Sequence, residues 1–282
     1  MNEILIKSKM SRRRFFKSEA RKLLFSEWLL QILLFMTVGA VFYGIWQFGL
    51  ALGLSVNELI SNEKTAILVI SVFGVFAASI FVPTAYGLLM YEVDFVETGK
   101  SNPSHIFKAF SSAAEYFRSM DLFFGIVLRN ILYFLPAIAL GFFNAFVYPY
   151  TISHSLYFEG IDVVMFLLRT LLVIFFYLGI VLSSTCFTAS YIAVKTDKEI
   201  SECFYEAAGC LRKNRVEALN LALSFFPLFV LSIFTVVFLF VMYTIPYMYI
   251  TFVMFSKYLY EKRVLEIQNM MTDKKVNINE IQ

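Results

Sequence analysis

Two arginines stand in otherwise apolar surroundings. Arg129 lies in the stretch Leu122–Val147 and Arg169 in Val163–Val194, and a guanidinium inside a bilayer is costly enough to be a functional candidate by default. A helical rise of about 1.5 Å per residue puts each about 10 Å below its nearer membrane surface. From that depth a long side chain can snorkel to a headgroup phosphate. In the competing reading, one or both line a polar cavity and bind an anionic lipid or a peptide carboxylate, which the planar guanidinium matches bidentately. A hydroxyl cluster, Ser183, Ser184, Thr185, Thr188 and Ser190, lies beyond Arg169 in the same stretch. Such residues bond back to their own helix or allow close helix packing; the alternative is the inner mouth of a water-lined vestibule.

Other chemistry lacks its components. His105 and His154 fall on opposite sides of the expected membrane, and Cys186, Cys203 and Cys210 fall in or near its reducing half, where disulfides are not expected. Cys203 and Cys210 are seven apart on one helix face, but zinc would need further ligands. P-loop, G-x-S-x-G and H-E-x-x-H patterns are absent from the sequence. No Asp or Glu lies within any of the six spans predicted from composition, which argues against proton- or cation-coupled carriage. The expectation is a chain with no enzymatic activity, cofactor or metal.

The elements that must position these residues are set by composition. In 282 residues, 59% are hydrophobic and 16% charged, with mean hydropathy +0.71, values that exclude disorder, a secreted disulfide scaffold and a cytosolic enzyme. The net charge of +3 is too small to imply nucleic-acid binding. A bilayer-crossing helix needs about 20 apolar residues. This predicts an all-α, polytopic transmembrane bundle with six spans at about 28–53, 65–90, 122–147, 163–194, 219–241 and 245–260, the last two separated where Pro246 interrupts one long apolar run. A basic amphipathic segment, 1–27, precedes this domain (28–260), and a polar tail, 261–282, succeeds it. The basic lead is too long and the first apolar run too extended for a cleaved signal peptide, so the first helix is expected to stay attached. Gly49 and Gly53 form a GxxxG that predicts close packing within the bundle or between copies, and Pro83, Pro136 and Pro227 each interrupt a span.

Charge placement sets orientation. Residues 1–27 hold eight Lys/Arg, 91–121 three, 195–218 five and the segment from Lys257 five, whereas the two opposite loops hold only Lys64. By the positive-inside bias, both termini are cytoplasmic in a multi-pass protein of a bacterial cell membrane. The run Arg12-Arg13-Arg14-Phe15-Phe16-Lys17, continuing into Ala20, Leu23, Leu24 and Trp28, resembles a helix in the headgroup plane. It would favour anionic lipid by about 1 kcal/mol per basic residue, or serve only as a topological anchor. Tyr243, Tyr247, Tyr258 and Tyr260, with Tyr148 and Tyr150, read as interface anchors.

A repeat is suggested by Ile106, Phe110, Ala113, Ala114, Phe117 and Arg118, which recur as Ile200, Phe204, Ala207, Ala208, Leu211 and Arg212. Each set makes one apolar helical face closed by a basic residue, and the units containing them would run in parallel across the membrane, as some transporter halves do. The two basic cytoplasmic helices so formed make Arg118, Arg212, Lys213 and Arg215 a candidate partner surface.

Several strings resemble a family of bacterial integral membrane proteins catalogued as domain of unknown function 975. They are Ala20-Arg21-Lys22-Leu23 with Trp28, Gly179-Ile180 with Tyr191-Ile192-Ala193, Lys213-Asn214-Arg215 with Leu223-Ser224-Phe225, and Pro246-Tyr247 with Thr251, Phe255 and Tyr258. Leu178 departs from the proline the family tends to carry before that glycine. The resemblance implies six spans and supplies no catalytic residue. Two functional readings remain: a non-enzymatic accessory, assembly or immunity-type partner of another membrane system, or a small transporter or lipid/peptide-handling protein with a cavity between repeated halves.

Overall fold

The computed structural model describes residues 9–59, 63–147, 161–234 and 240–281, and every regular element among them is helical. The order is α1 (Lys9–Ser26), α2 (Trp28–Leu59), α3 (Glu63–Thr98), a 3-10 helix (Pro103–Phe110), α4 (Ala113–Phe142) ending in a π-helical turn, α5 (Ile161–Lys195), α6 (Ile200–Leu211), α7 (Arg215–Leu223), α8 (Phe226–Phe234), a second π-helical turn (Phe240–Thr244) and α9 (Ile245–Ile281).

Among the described residues, five stretches are long and apolar enough to cross a bilayer: Trp28–Gly53, Lys64–Thr98, Ala113–Phe146, Val163–Lys195 and Arg215–Ser232. The sixth expected span, 245–260, is helical but does not meet that test, because Tyr, Thr and Ser alternate with its aliphatic residues and Lys257 interrupts it. The fifth is broken at Ser224–Phe225, after which Pro227 sits in the first turn of α8, where a missing amide costs nothing. Pro83 and Pro136 lie inside uninterrupted helices. Tyr148, Tyr150 and His154 lie outside the described residues, as do 235–239 of the expected 219–241 span.

The two ends of the bundle differ in what they bury. Toward one end the long helices pair as hairpins, α2 with α3 through Phe42–Phe81 and Phe48–Phe73, and α4 with α5 through Phe134–Phe176. Most of their apolar side chains there are exposed, Val75 at 73% and Phe166 at 69%, as lipid-facing surface would be. Gly49 is where this packing is close: a Cβ would come 2.7 Å from Phe73, whereas at Gly53, Gly44 and Gly39 it would meet nothing within 4 Å. The GxxxG is therefore half used within the chain.

Toward the other, charged end lies the core. Its hub is the first half of α9, in which Tyr247, Ile250, Thr251, Val253, Phe255, Ser256, Tyr258 and Leu259 are all buried. Those positions cover every face of the helix, so α9 is enclosed on all sides. α1 docks along it instead of presenting an apolar face to lipid: Phe16, Ala20 and Leu24 are buried, with Phe16 edge-on to Phe255 and tilted against Tyr258. Lys17 lies over the Phe225 ring at 4.3 Å and donates to the Ser224 carbonyl; burial, reinforced by Arg13 and Arg21, lowers its pKa. Tyr247 and Tyr258, expected as interface anchors, belong to this core.

The two segments of the suggested repeat fold differently. Residues 200–211 form one α-helix, but 106–118 are split. Asn102 caps the 3-10 helix that begins at Pro103, Ser111 ends it, and Ser112 starts α4 by accepting from the Glu115 amide, a Ser-x-x-Glu cap. Burial differs too: Phe204 and Leu211 are buried while their counterparts Phe110 and Phe117 are exposed. The shared pattern thus yields no equivalent pair of amphipathic helices.

One contact locks the 3-10 helix to α3. A Cβ at Gly87 would lie 2.0 Å from the Ile106 carbonyl oxygen, a backbone atom that cannot rotate away. Gly87→Ala is expected to destabilise the protein by at least about 2 kcal/mol, since overpacking outweighs the helix propensity gained. Gly74→Ala, where nothing lies within 4 Å, should not. Thermal unfolding of both variants in detergent tests this, and equal midpoints would refute the contact.

Candidate functional site

The two membrane arginines are not brought together. Arg129 turns toward the charged end, its guanidinium stacked 3.7 Å over the Phe204 ring of α6, with Nη1 donating to the Gly125 carbonyl at 3.3 Å. Gly125 leaves room for that ring, since a Cβ would come 2.8 Å from Phe204. The half-buried cation is thus held by an aromatic face. Arg169 sits on an exposed face of α5 beside Phe166 and Val173. In the α4–α5 hairpin Arg129 is level with Cys186, so Arg169 lies about 25 Å further along the axis at 1.5 Å per residue.

The hydroxyl cluster is spent on helix packing. Ser183 donates to Asn130 Oδ1, and Tyr133 and Thr185 share a 3.4 Å contact, both joining α4 to α5. Ser184 donates to its own helix at Val181, Ser190 likewise at Cys186, and Thr188 is 2% exposed. Asn130, which has no charge or motif to single it out in sequence, is the centre of this network, also donating to the Ile126 carbonyl.

Of the four basic residues assigned to a partner surface, three converge. Arg118 does not join them: its guanidinium donates to the Ala193 and Thr196 carbonyls and so caps the end of α5. Arg212, Lys213 and Arg215, from the turn between α6 and α7, line an open groove of about 1150 Å³ with Lys262 and Arg263 of α9. Lys198, which also lines it, pairs with Glu206 at 2.7 Å, and Arg263 with Glu266 at 3.6 Å. The groove therefore has a basic excess, carried by the turn residues and Lys262. Its signal in sequence is a Lys-rich α9 tail, which nothing local links to residue 212.

Two buried polar clusters have no clear signature in sequence. Glu92 lies on α3, inside the membrane-length helix, and is wholly buried with Gln31 of α2, whose Nε2 donates to Glu92 Oε2 at 3.5 Å; Glu92 Oε1 and Gln31 Oε1 have no partner. The sequence ends the second span near Met90, whereas α3 continues unbroken through Glu92 to Thr98, so a buried acid lies on the same helix as the span. The second cluster ties α1 to α7 and α9. Arg12 Nη1 donates to Tyr258 Oη at 2.7 Å, and Arg12 Nε lies 3.4 Å from Glu217 Oε1, close enough for Coulomb attraction but not aligned as a hydrogen bond.

Among the described residues no group of His, Cys, Asp and Glu could hold a metal ion. The thiols of Cys203 and Cys210 are buried and free. Burial raises both pKa values, that of Cys210 to about 11, which leaves them protonated and unreactive near neutrality. No family model, curated protein or solved structure matches the chain.

Two measurements test this arrangement. Arg12→Gln should cost about 3 kcal/mol by leaving Glu217 buried without its counter-charge, and adding Glu217→Gln should recover part of that loss. Unfolding of the single and double variants reads it, and additive losses would contradict the pair. Cys203 and Cys210 should resist a maleimide at pH 7 until the protein is unfolded, as followed by mass spectrometry; rapid labelling of the folded protein would contradict their burial.

Proposed function

We propose that the chain is a non-enzymatic, multi-pass protein of a bacterial cell membrane, an accessory, assembly or immunity-type partner of another membrane system, whose contact surface is the basic groove. The observation that carries this reading is the convergence of Arg212, Lys213 and Arg215 with Lys262 and Arg263 from a distant helix. Such a patch suits charge-steered association.

Both termini face the cytoplasm in this reading. The distribution of Lys and Arg supports it, and so does the Arg12–Tyr258 hydrogen bond, because contact between residue 12 and residue 258 requires those two segments to lie on the same side. The number of crossings is then even, and the Ser232–Thr244 contact at 3.1 Å, which ties α8 to the π-helical turn before α9, accords with a chain that returns to the side of α1. The resemblance to a six-span family of no established activity accords with this.

The transport reading is favoured by a different observation, the buried Glu92–Gln31 pair, because carboxyls at membrane depth mark ion and proton paths in carriers. Against it, Ser183 and Thr185 are engaged between helices and Arg129 is stacked on Phe204.

Reversing Arg212, Lys213 and Arg215 to Glu in the full chain should release a partner that co-purifies with the unaltered protein, without lowering the thermal midpoint. Retention of that partner would count against the groove. In a cysteine-free background, Ser184→Cys should stay unlabelled by a membrane-impermeant thiol reagent applied to inverted vesicles, whereas labelling would favour a transport cavity.

A further inference from the structure

We infer that the turn end of the groove binds the phosphate of an anionic membrane phospholipid, through Arg212, Lys213, Arg215 and Lys262. This rests on the membrane setting proposed above and names the ligand class of the same groove.

The charges come first. Lys198 and Arg263 already have acidic partners, but Arg212, Lys213, Arg215 and Lys262 have none within 4 Å among the described residues. Arg215 is half-buried in the groove wall, its Nε sealed and without an acceptor, so the guanidinium has no acidic partner of its own to compete with an anion. The backbone adds to the demand. Asn214, at the N-cap of α7, donates its side chain to the Cys210 carbonyl at 3.1 Å and makes no cap for its own helix. The first turn of α7 therefore has no side-chain cap from Asn214 beside the same three basic side chains, although Glu217 in that turn complements part of its dipole. Glu202, Glu206 and Glu266 also line the groove, but Glu206 and Glu266 are already paired with Lys198 and Arg263.

The helices leading away from the turn select the ligand's source. From Arg215 the chain enters α7 and α8, where Val216, Leu223, Phe226 and Leu231 are exposed at 68%, 55%, 65% and 50%. Val216 and Leu223, seven apart, share one face of α7. A basic cradle that opens onto an apolar track matches a headgroup joined to acyl chains. A free phosphate uses only the cradle, and an acidic peptide gains nothing from the track.

The experiment is calorimetric titration of the purified full-length protein in a nonionic detergent. The probes are short-chain phosphatidylglycerol, short-chain phosphatidylcholine, inorganic phosphate and a polyglutamate peptide. Phosphatidylglycerol is expected to bind saturably, at least tenfold more tightly than the other three, and at least tenfold more weakly to the Arg212→Gln, Lys213→Gln, Arg215→Gln variant. Lys262→Gln alone, at a half-buried position outside the α6–α7 turn, should weaken it at least twofold and guards against misfolding of the triple variant. Equal binding of phosphatidylcholine, tighter binding of inorganic phosphate or polyglutamate, or full binding by the variants would each overturn the lipid assignment. Loss of the co-purifying partner on charge reversal without any lipid binding would overturn it too, while leaving the contact-surface reading intact. Resistance of the protein to alkaline carbonate extraction checks its membrane residence separately.

Discussion

The structure depends on the enclosure of α9. A helix buried on every side must be matched by neighbours on every side, and here α1, α3, α5 and α6 supply them. Residues 247–259 touch both halves of the core, with Ile250 and Phe255 in one and Val253 in the other. Tyr249 joins the two, edge-on to Phe35 of α2 and to Phe187 of α5. Because the interior is close-packed, displacing α9 would disturb every contact at the charged end. The N-terminal helix has the same dependence: its hydrogen bonds and ring contacts run to α9 and the 224–225 turn, and its ion pair to α7.

This arrangement inverts the usual relation between hydropathy and burial. The helices with the strongest apolar signal are the least enclosed, only 6% to 28% of their most apolar stretches being buried. The first half of α9, which carries Thr251 and Ser256 in its interior, is enclosed on all sides. The reason lies in the solvent. A lipid-facing side chain has no polar partner and must be apolar, whereas a protein-facing one can be a Thr or Ser that bonds its own helix, as Thr251 does to the Tyr247 carbonyl at 2.7 Å. Apolar length therefore detects the surface of such a bundle better than its core.

The same physics decides what the polar residues do. Where α4 meets α5, Asn130, Ser183, Tyr133 and Thr185 satisfy one another across the helix pair, which spends donors that a ligand cavity would need. Arg129 adds a cation held by an aromatic face. At the charged end the balance is different, since Arg212, Lys213 and Arg215 surround an open groove with more donors than local acceptors. Chemistry is therefore concentrated outside the apolar belt, at a place made by a turn and a helix about 50 residues away in the chain.

The sequence by itself determined the all-helical class, the lengths of the apolar stretches, the break in the final apolar run and the segregation of Lys and Arg. Each arises from local composition and from the bilayer's demand that backbone groups be satisfied within a helix. Local spacing also named Arg212, Lys213 and Arg215, three residues within four positions. It misread 106–118, where the caps at Asn102 and Ser112 outweigh the apolar period, and it ended α3 too early to see Glu92 as a buried acid. What only the tertiary structure decided was rotation and partnership. Arg129 faces Phe204 and Arg169 does not face it, Arg118 caps α5 while its supposed counterpart lines a groove, and α9 lies inside the protein instead of against lipid. Those outcomes depend on which face of each helix meets which neighbour, and no property of a single helix contains that information.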